Sequence, residues 1–170
     1  MVMPRKFGWL LLLLLIIAIS APKALPAAST ANPAIVLAAF GTTTEAFDTY
    51  HHFETKVRER FPEYEIRWAF TSRKVREKLA QEKGKQLKDL GTTLRELNAA
   101  GFNRVAIQSL HIVPGEEWDK KVVQVSREIP GLKVALGKPL LDSKQDQERV
   151  LQSLAQTFPQ DLKDTAVVLM

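Results

Sequence analysis

From residue 34 onward, continuous apolar runs alternate with amphipathic stretches. Ala34 to Phe40 is an unbroken apolar run closed by Gly41, as expected of a strand buried on both faces. From about Glu45 to Phe61 the apolar positions are Phe47, Tyr50, Phe53, Val57 and Phe61. Their three- and four-residue spacing predicts an amphipathic helix, which Pro62 ends. Tyr64–Phe70 reads as a second strand, and Ser72 as the N-cap of a helix over Arg73–Glu82. A helix from about Lys85 to Ala100 stops at Gly101, and Arg104–Leu110 is a third strand. A loop with Pro114 and Gly115 leads into a helix from about Glu116 to Ile129. Leu132–Leu136, Gln145–Phe158 and Thr165–Met170 follow as strand, helix and strand.

Strands separated by helices imply crossover connections, so the expected class is α/β: a parallel sheet flanked by helices on both faces. Ligands of such sheets bind at the carboxyl ends of the strands. The loops after Phe40, Phe70, Leu110 and Leu136 are therefore the ones to weigh. The sequence stops inside its last apolar strand, which suggests a truncated chain.

The N-terminus changes where this domain is expected to work. Arg5 and Lys6 precede an uncharged run from Gly8 to Ile19, and small residues follow from Ala24 to Ala31. That is the pattern of a secretory signal peptide, assigned here to residues 1–28, with 29–33 as linker. The apolar run is shorter than the roughly 20 residues a spanning helix needs, so no membrane span is expected after cleavage. The whole chain carries 24 basic and 19 acidic residues; losing Arg5, Lys6 and Lys23 leaves 21 against 19. A nearly neutral domain gives no argument for nucleic acid. With no cysteine in the chain, stability in an oxidising compartment must come from a packed core.

Three loops offer candidate chemistry. Phe40-Gly41-Thr42-Thr43-Thr44 is either an anion-receiving turn or a tight turn with a threonine N-cap. Phe70-Thr71-Ser72-Arg73-Lys74 either meets a carboxylate or caps a helix. The third, Ser109-Leu110-His111 through Gly115-Glu116-Glu117-Trp118, joins a histidine to two carboxylates in a first helical turn. That set suits a divalent ion or proton transfer, or else a dipole-favoured helix start beside a core histidine. His51 and His52 are adjacent on a helix and point about 100° apart, so they do not chelate jointly. Lys83, Lys85 and Lys88 read as a solvated face. No Gly-x-Gly-x-x-Gly or Gly-Lys-Ser/Thr fingerprint follows a strand.

In order, Phe40-Gly41-Thr42, Ala69-Phe70-Thr71-Ser72, Val105 to Ile112 with Gly115 and Glu117, and Gly137-x-Pro139-Leu140-Leu141 resemble one family. It is the anaerobic, CbiK-type sirohydrochlorin cobaltochelatase, in its periplasmic variant. The resemblance implies a class II chelatase of two similar lobes with a tetrapyrrole cleft between them. Residues 34–164 would be the first lobe and 165–170 the first strand of the second. It further implies ATP-independent insertion of a divalent ion, with cobalt the expected substrate and iron or nickel possible alternatives. Haem binding is also compatible with it. Glu117 matches the family's metal-binding and catalytic glutamate, and His111 matches a motif histidine that shapes the cleft. Phe40, Gly41, Thr42, Phe70, Thr71, Ser72, Ser109, Leu110 and His111 are the expected tetrapyrrole contacts. The family's Gly-His-Gly motif follows the strand that matches Val167–Met170, and a second metal-binding histidine lies beyond it. The alternative is a tetrapyrrole- or metal-binding carrier without catalysis. Homo-oligomerisation is compatible with either.

Overall fold

The computed structural model describes residues 33–159 together with 166 and 167. The expected leader, the linker up to residue 32 and most of the strand expected at 165–170 therefore lie outside the described residues. Four strands, β1 (Ala34–Ala39), β2 (Ile66–Phe70), β3 (Arg104–Ser109) and β4 (Lys133–Gly137), form a parallel sheet in the order β2-β1-β3-β4. The run from Ala34 to Ala39 lies in the middle because it can be: small and branched apolar side chains suit a strand that pairs on both edges. Ile35 stands beside Ile66 on one side and Ala106 on the other.

Alternation sorts the side chains onto two faces. Ala34, Val36 and Ala38, with Ala69, Val105 and Ile107, meet Leu90, Leu94 and Leu97 of α3 (Leu90–Ala99) in the main core. Each fully buried Leu or Ile contributes about 1.5–3 kcal/mol, so this face carries most of the stability. The opposite face meets α1 (Asp48–Arg60), which a short 3₁₀ turn over Glu45–Phe47 precedes. Here Tyr50 packs on Trp68 and Phe70, and Trp68 donates to Glu54 at 2.7 Å. The coverage is partial. No residue of α1 is fully buried, and Phe53 and Phe61 border an apolar groove of ≈ 610 Å³ that also runs over Ala106, Ala135 and Gly137.

Ser72 caps α2 (Arg73–Lys83) by accepting from the Val75 N–H, as its position predicts. The next helix differs from expectation: it starts at Leu90 rather than near Lys85. The Lys88 carbonyl instead accepts from the Phe70 N–H at 2.8 Å, extending hydrogen bonding at the outer side of edge strand β2. Asp89 then caps α3 by accepting from the Thr92 N–H at 2.8 Å. The helix expected over Glu116–Ile129 is also divided. A turn of α-helix, α4 (Glu116–Trp118), passes into a π turn (Asp119–Val123) and a 3₁₀ turn (Val125–Arg127). The π turn widens the coil where Trp118 and Val122 both enter the core. The last of the described helices, α5 (Lys144–Ala155), is capped by Ser143 and buries none of its residues fully.

Replacing Leu94, wholly inaccessible in the main core, by alanine should cost about 2–5 kcal/mol in urea unfolding. Leu151→Ala, on the exposed side of α5, should change stability by no more than about 0.5 kcal/mol.

Candidate functional site

The carboxyl edge of the sheet is assembled from the ends of β1, β2 and β3. After β1 the chain turns at Gly41, with φ +96°. A Cβ there would stand 3.0 Å from Val75 Cγ1 and 3.3 Å from Phe70 Cδ1, so glycine is needed for both the backbone angle and the close approach. Phe40, just before it, is about half exposed. The following threonines bond among themselves: the Thr42 and Thr44 hydroxyls are 3.0 Å apart, and Thr44 caps the 3₁₀ turn. Two of the lysines expected to form only a solvated face help hold this segment. Lys83 donates to the Thr43 carbonyl at 3.4 Å, and Lys85 Nζ lies 3.5 Å from the centre of the Phe47 ring. Both contacts join chain segments about forty residues apart, beyond the reach of a local charge pattern.

At the end of β2, Thr71 and Ser72 are both buried. Their backbone N–H groups donate to Ala39 and Phe40, and Leu110 donates to Ala38, so the ladder continues past all three strand ends. Above it lies the ring of His111. Ser109 Oγ is 2.9 Å from its Nδ1 and Thr71 Oγ1 is 3.1 Å from its Nε2. Both ring nitrogens are thus held by hydroxyls, one from the β3 side and one from the β2 side. Burial pushes the imidazole below its ordinary value, and the Glu117 carboxylate partly opposes that shift.

The two adjacent glutamates have different environments. Glu116 is exposed and ion-paired with Lys120, one helical turn on; the pair holds its carboxyl below the ordinary value. Glu117 is half-buried, and its Oε2 is the one buried side-chain polar atom without a hydrogen-bond partner among the described residues. Such an atom costs about 1–3 kcal/mol until something satisfies it. Trp118, the next residue, is buried in the core and anchors the turn that presents it. Among the described residues no three His, Asp or Glu side chains converge as a metal site.

Apolar surface flanks this group. Ile112, Val113 and Leu140 are all more than half exposed. Leu140 and Leu141 donate to the carbonyls of His111 and Ile112 at 3.0 and 2.8 Å, tying the loop after β4 to the loop after β3. A ≈ 600 Å³ recess lies there, lined by Phe53, Leu110, His111, Ile112, Pro139 and Leu140. Of the expected contacts, Thr71, Ser109 and His111 form one hydrogen-bonded group, with Leu110 and His111 at the recess. The hydroxyls of Thr42 and Ser72 are engaged in local turns, and Phe40, Gly41 and Phe70 shape the neighbouring β1–β2 end. The sequence reading missed Arg76, which donates to the Phe70 and Thr71 carbonyls and holds the β2 loop from behind. Its place in a run of charged residues gave no signal of that role.

A family described as cobalt chelatase (CbiK) matches residues 33–170. The sirohydrochlorin cobaltochelatase CbiKC of Nitratidesulfovibrio vulgaris is 39% identical over 141 residues, covering 80% of this chain and 50% of that protein. The sirohydrochlorin cobaltochelatase of Salmonella typhimurium is 37% identical over 110 residues, 64% of this chain and 42% of that one. The chain spans about half the length of the curated relatives it matches.

The folded protein favours the neutral His111 ring, so its contribution to stability is complete above the ordinary histidine value of 6.5 and is lost as pH falls through the lower folded value. An NMR titration of the His111 ring should give a midpoint below 6.5, with unfolding free energy declining through the same range.

Proposed function

The chain belongs to the CbiK cobalt chelatase family, and from that membership we propose that it supplies the first lobe of an enzyme that inserts a divalent ion into sirohydrochlorin without ATP. Cobalt is the substrate that the family description and the names of both relatives favour. The observation that carries the reading is Glu117: a half-buried carboxylate with an unpartnered oxygen, beside His111 and an exposed apolar rim. Metallation requires the cation to lose water and the macrocycle to lose two pyrrole protons. A carboxylate shielded from bulk water can hold the incoming ion and accept one of those protons. Ile112, Val113 and Leu140 offer apolar contact to the flat macrocycle. With both nitrogens already bonded to hydroxyls, His111 is suited to supporting the cleft wall rather than to coordinating the ion.

The family resemblance assigns two histidines to the ion in addition to the glutamate. The second reading is a carrier that binds tetrapyrrole or metal without inserting it. The intact protein separates the two. Glu117→Gln should slow cobalt insertion into sirohydrochlorin, followed by absorbance, by about 10²-fold or more, while Glu116→Gln leaves it nearly unchanged. An unchanged rate in Glu117→Gln would remove that residue from the site, and no insertion by the wild type would favour the carrier.

We further propose a periplasmic location, from the charged, apolar and small-residue pattern of residues 1–28. In a cell that exports it, the mature protein should appear in the periplasmic fraction with a mass lacking the leader. A cytoplasmic protein of full mass would overturn this.

A further inference from the structure

We propose that a small cavity behind the β2 loop is a carboxylate subsite, and that it receives one acid arm of the tetrapyrrole. Assigning the arm to that ligand rests on the chelatase reading; the carboxylate chemistry of the cavity does not. The cavity has a volume of ≈ 270 Å³. That admits a short acid side chain and excludes a macrocycle, so any ring joined to the bound group must lie outside.

Four cations, Arg73, Arg76, Arg95 and Lys121, line it against two carboxylates, Asp89 and Glu128. Glu128 is exposed and makes no ion pair among the described residues, so it offsets one of these cations; the partners of the others separate structural charges from available ones. Arg76 bonds the Phe70 and Thr71 carbonyls and lies 3.7 Å from Asp89, which itself caps α3. These two residues build the wall. Arg73 pairs at 3.2 Å with Glu77 on the exposed surface, where such a pair is easily exchanged. Among the described residues Arg95 bonds the neutral Thr92 hydroxyl, at 3.2 Å, and feels Asp89 at longer range. Lys121 makes no ion pair among the described residues, and its neighbour Glu116 is already paired with Lys120.

The backbone leaves space for the guanidinium. A Cβ on Gly91 would stand 3.2 Å from Arg95 Nη1 and 3.6 Å from Asp89 Oδ1, so glycine lets Arg95 fold back over the first turn of α3. A planar guanidinium beside an ammonium matches a carboxylate, with two N–H donors from one residue and a point charge from the other. The cavity also adjoins the proposed site. Thr71 lines it, and the hydroxyl of Thr71 bonds His111. An arm seated here would fix the ring's position relative to Glu117, a role the four edge hydroxyls are less free to play because each already has an internal partner.

The test uses the double variant Arg95→Gln/Lys121→Gln of the intact protein; both side chains are on exposed residues, and a thermal melt should match the wild type. Binding of citrate is measured by calorimetry and binding of sirohydrochlorin by absorbance. A loss of about tenfold or more in affinity for both supports the proposal. Loss for citrate alone would make the cavity a site for free carboxylates and overturn the arm assignment. Wild-type affinities for both compounds in the variant, or no citrate binding by the wild type with an unchanged sirohydrochlorin affinity, would overturn the proposal altogether. Its failure is distinguishable from failure of the chelatase reading: weakened citrate binding together with an unaffected Glu117→Gln insertion rate would retain the subsite and remove the proposed metal residue.

Discussion

The arrangement depends on β1 being hydrogen-bonded along both edges and packed against the main core on one face. Its ladder to β2 and β3 keeps the three strand ends level, and the bonds from Thr71, Ser72 and Leu110 to Ala39, Phe40 and Ala38 extend that alignment into the loops. Only then can a hydroxyl from the β2 side and another from the β3 side reach opposite nitrogens of one imidazole. A charged or bulky residue in the middle of β1 would disturb the spacing of this clamp as well as the core. Gly41 serves the same alignment by letting the chain turn against Phe70 and Val75 without a side chain between them.

The edge satisfies nearly all of its own polar atoms. Serine and threonine hydroxyls cap turns or hold His111, and lysines fasten the loop after β1. Glu117 stands apart from that accounting, with an oxygen that is shielded and unpaired. Its neighbour Glu116, chemically identical, is neutralised in solvent by Lys120. Burial and partners, rather than residue type, distinguish them, and the distinction follows from Trp118 entering the core and turning the helix with it.

The four described strands were legible because each is an apolar run bounded by a turn residue, and a parallel α/β sheet follows from their alternation with helices. Ser72 was legible as a cap, since its bond is local. Helix boundaries failed where a distant partner competed for the backbone: Lys88 bonds Phe70 instead of starting a helix. The π turn was hidden for a similar reason, since the packing of Trp118 and Val122 sets it and the amphipathic period does not record it. Ser109, His111 and Glu117 could be selected by their place at and after the end of β3. The clamp through Thr71, forty residues away, and the cavity shared by α2, α3 and the π turn needed three dimensions.

The strand order also has a kinetic side. β1 is the first of the described strands and the second in the sheet, and its partners lie about thirty and about seventy residues downstream. Among the described residues it has no local hairpin partner and must wait, as an apolar segment, until loop closure brings β2 and then β3 alongside. Contacts of this separation fold slowly and leave the earliest strand exposed to aggregation. The same central strand that aligns the site is therefore the segment most in need of shielding while the chain folds.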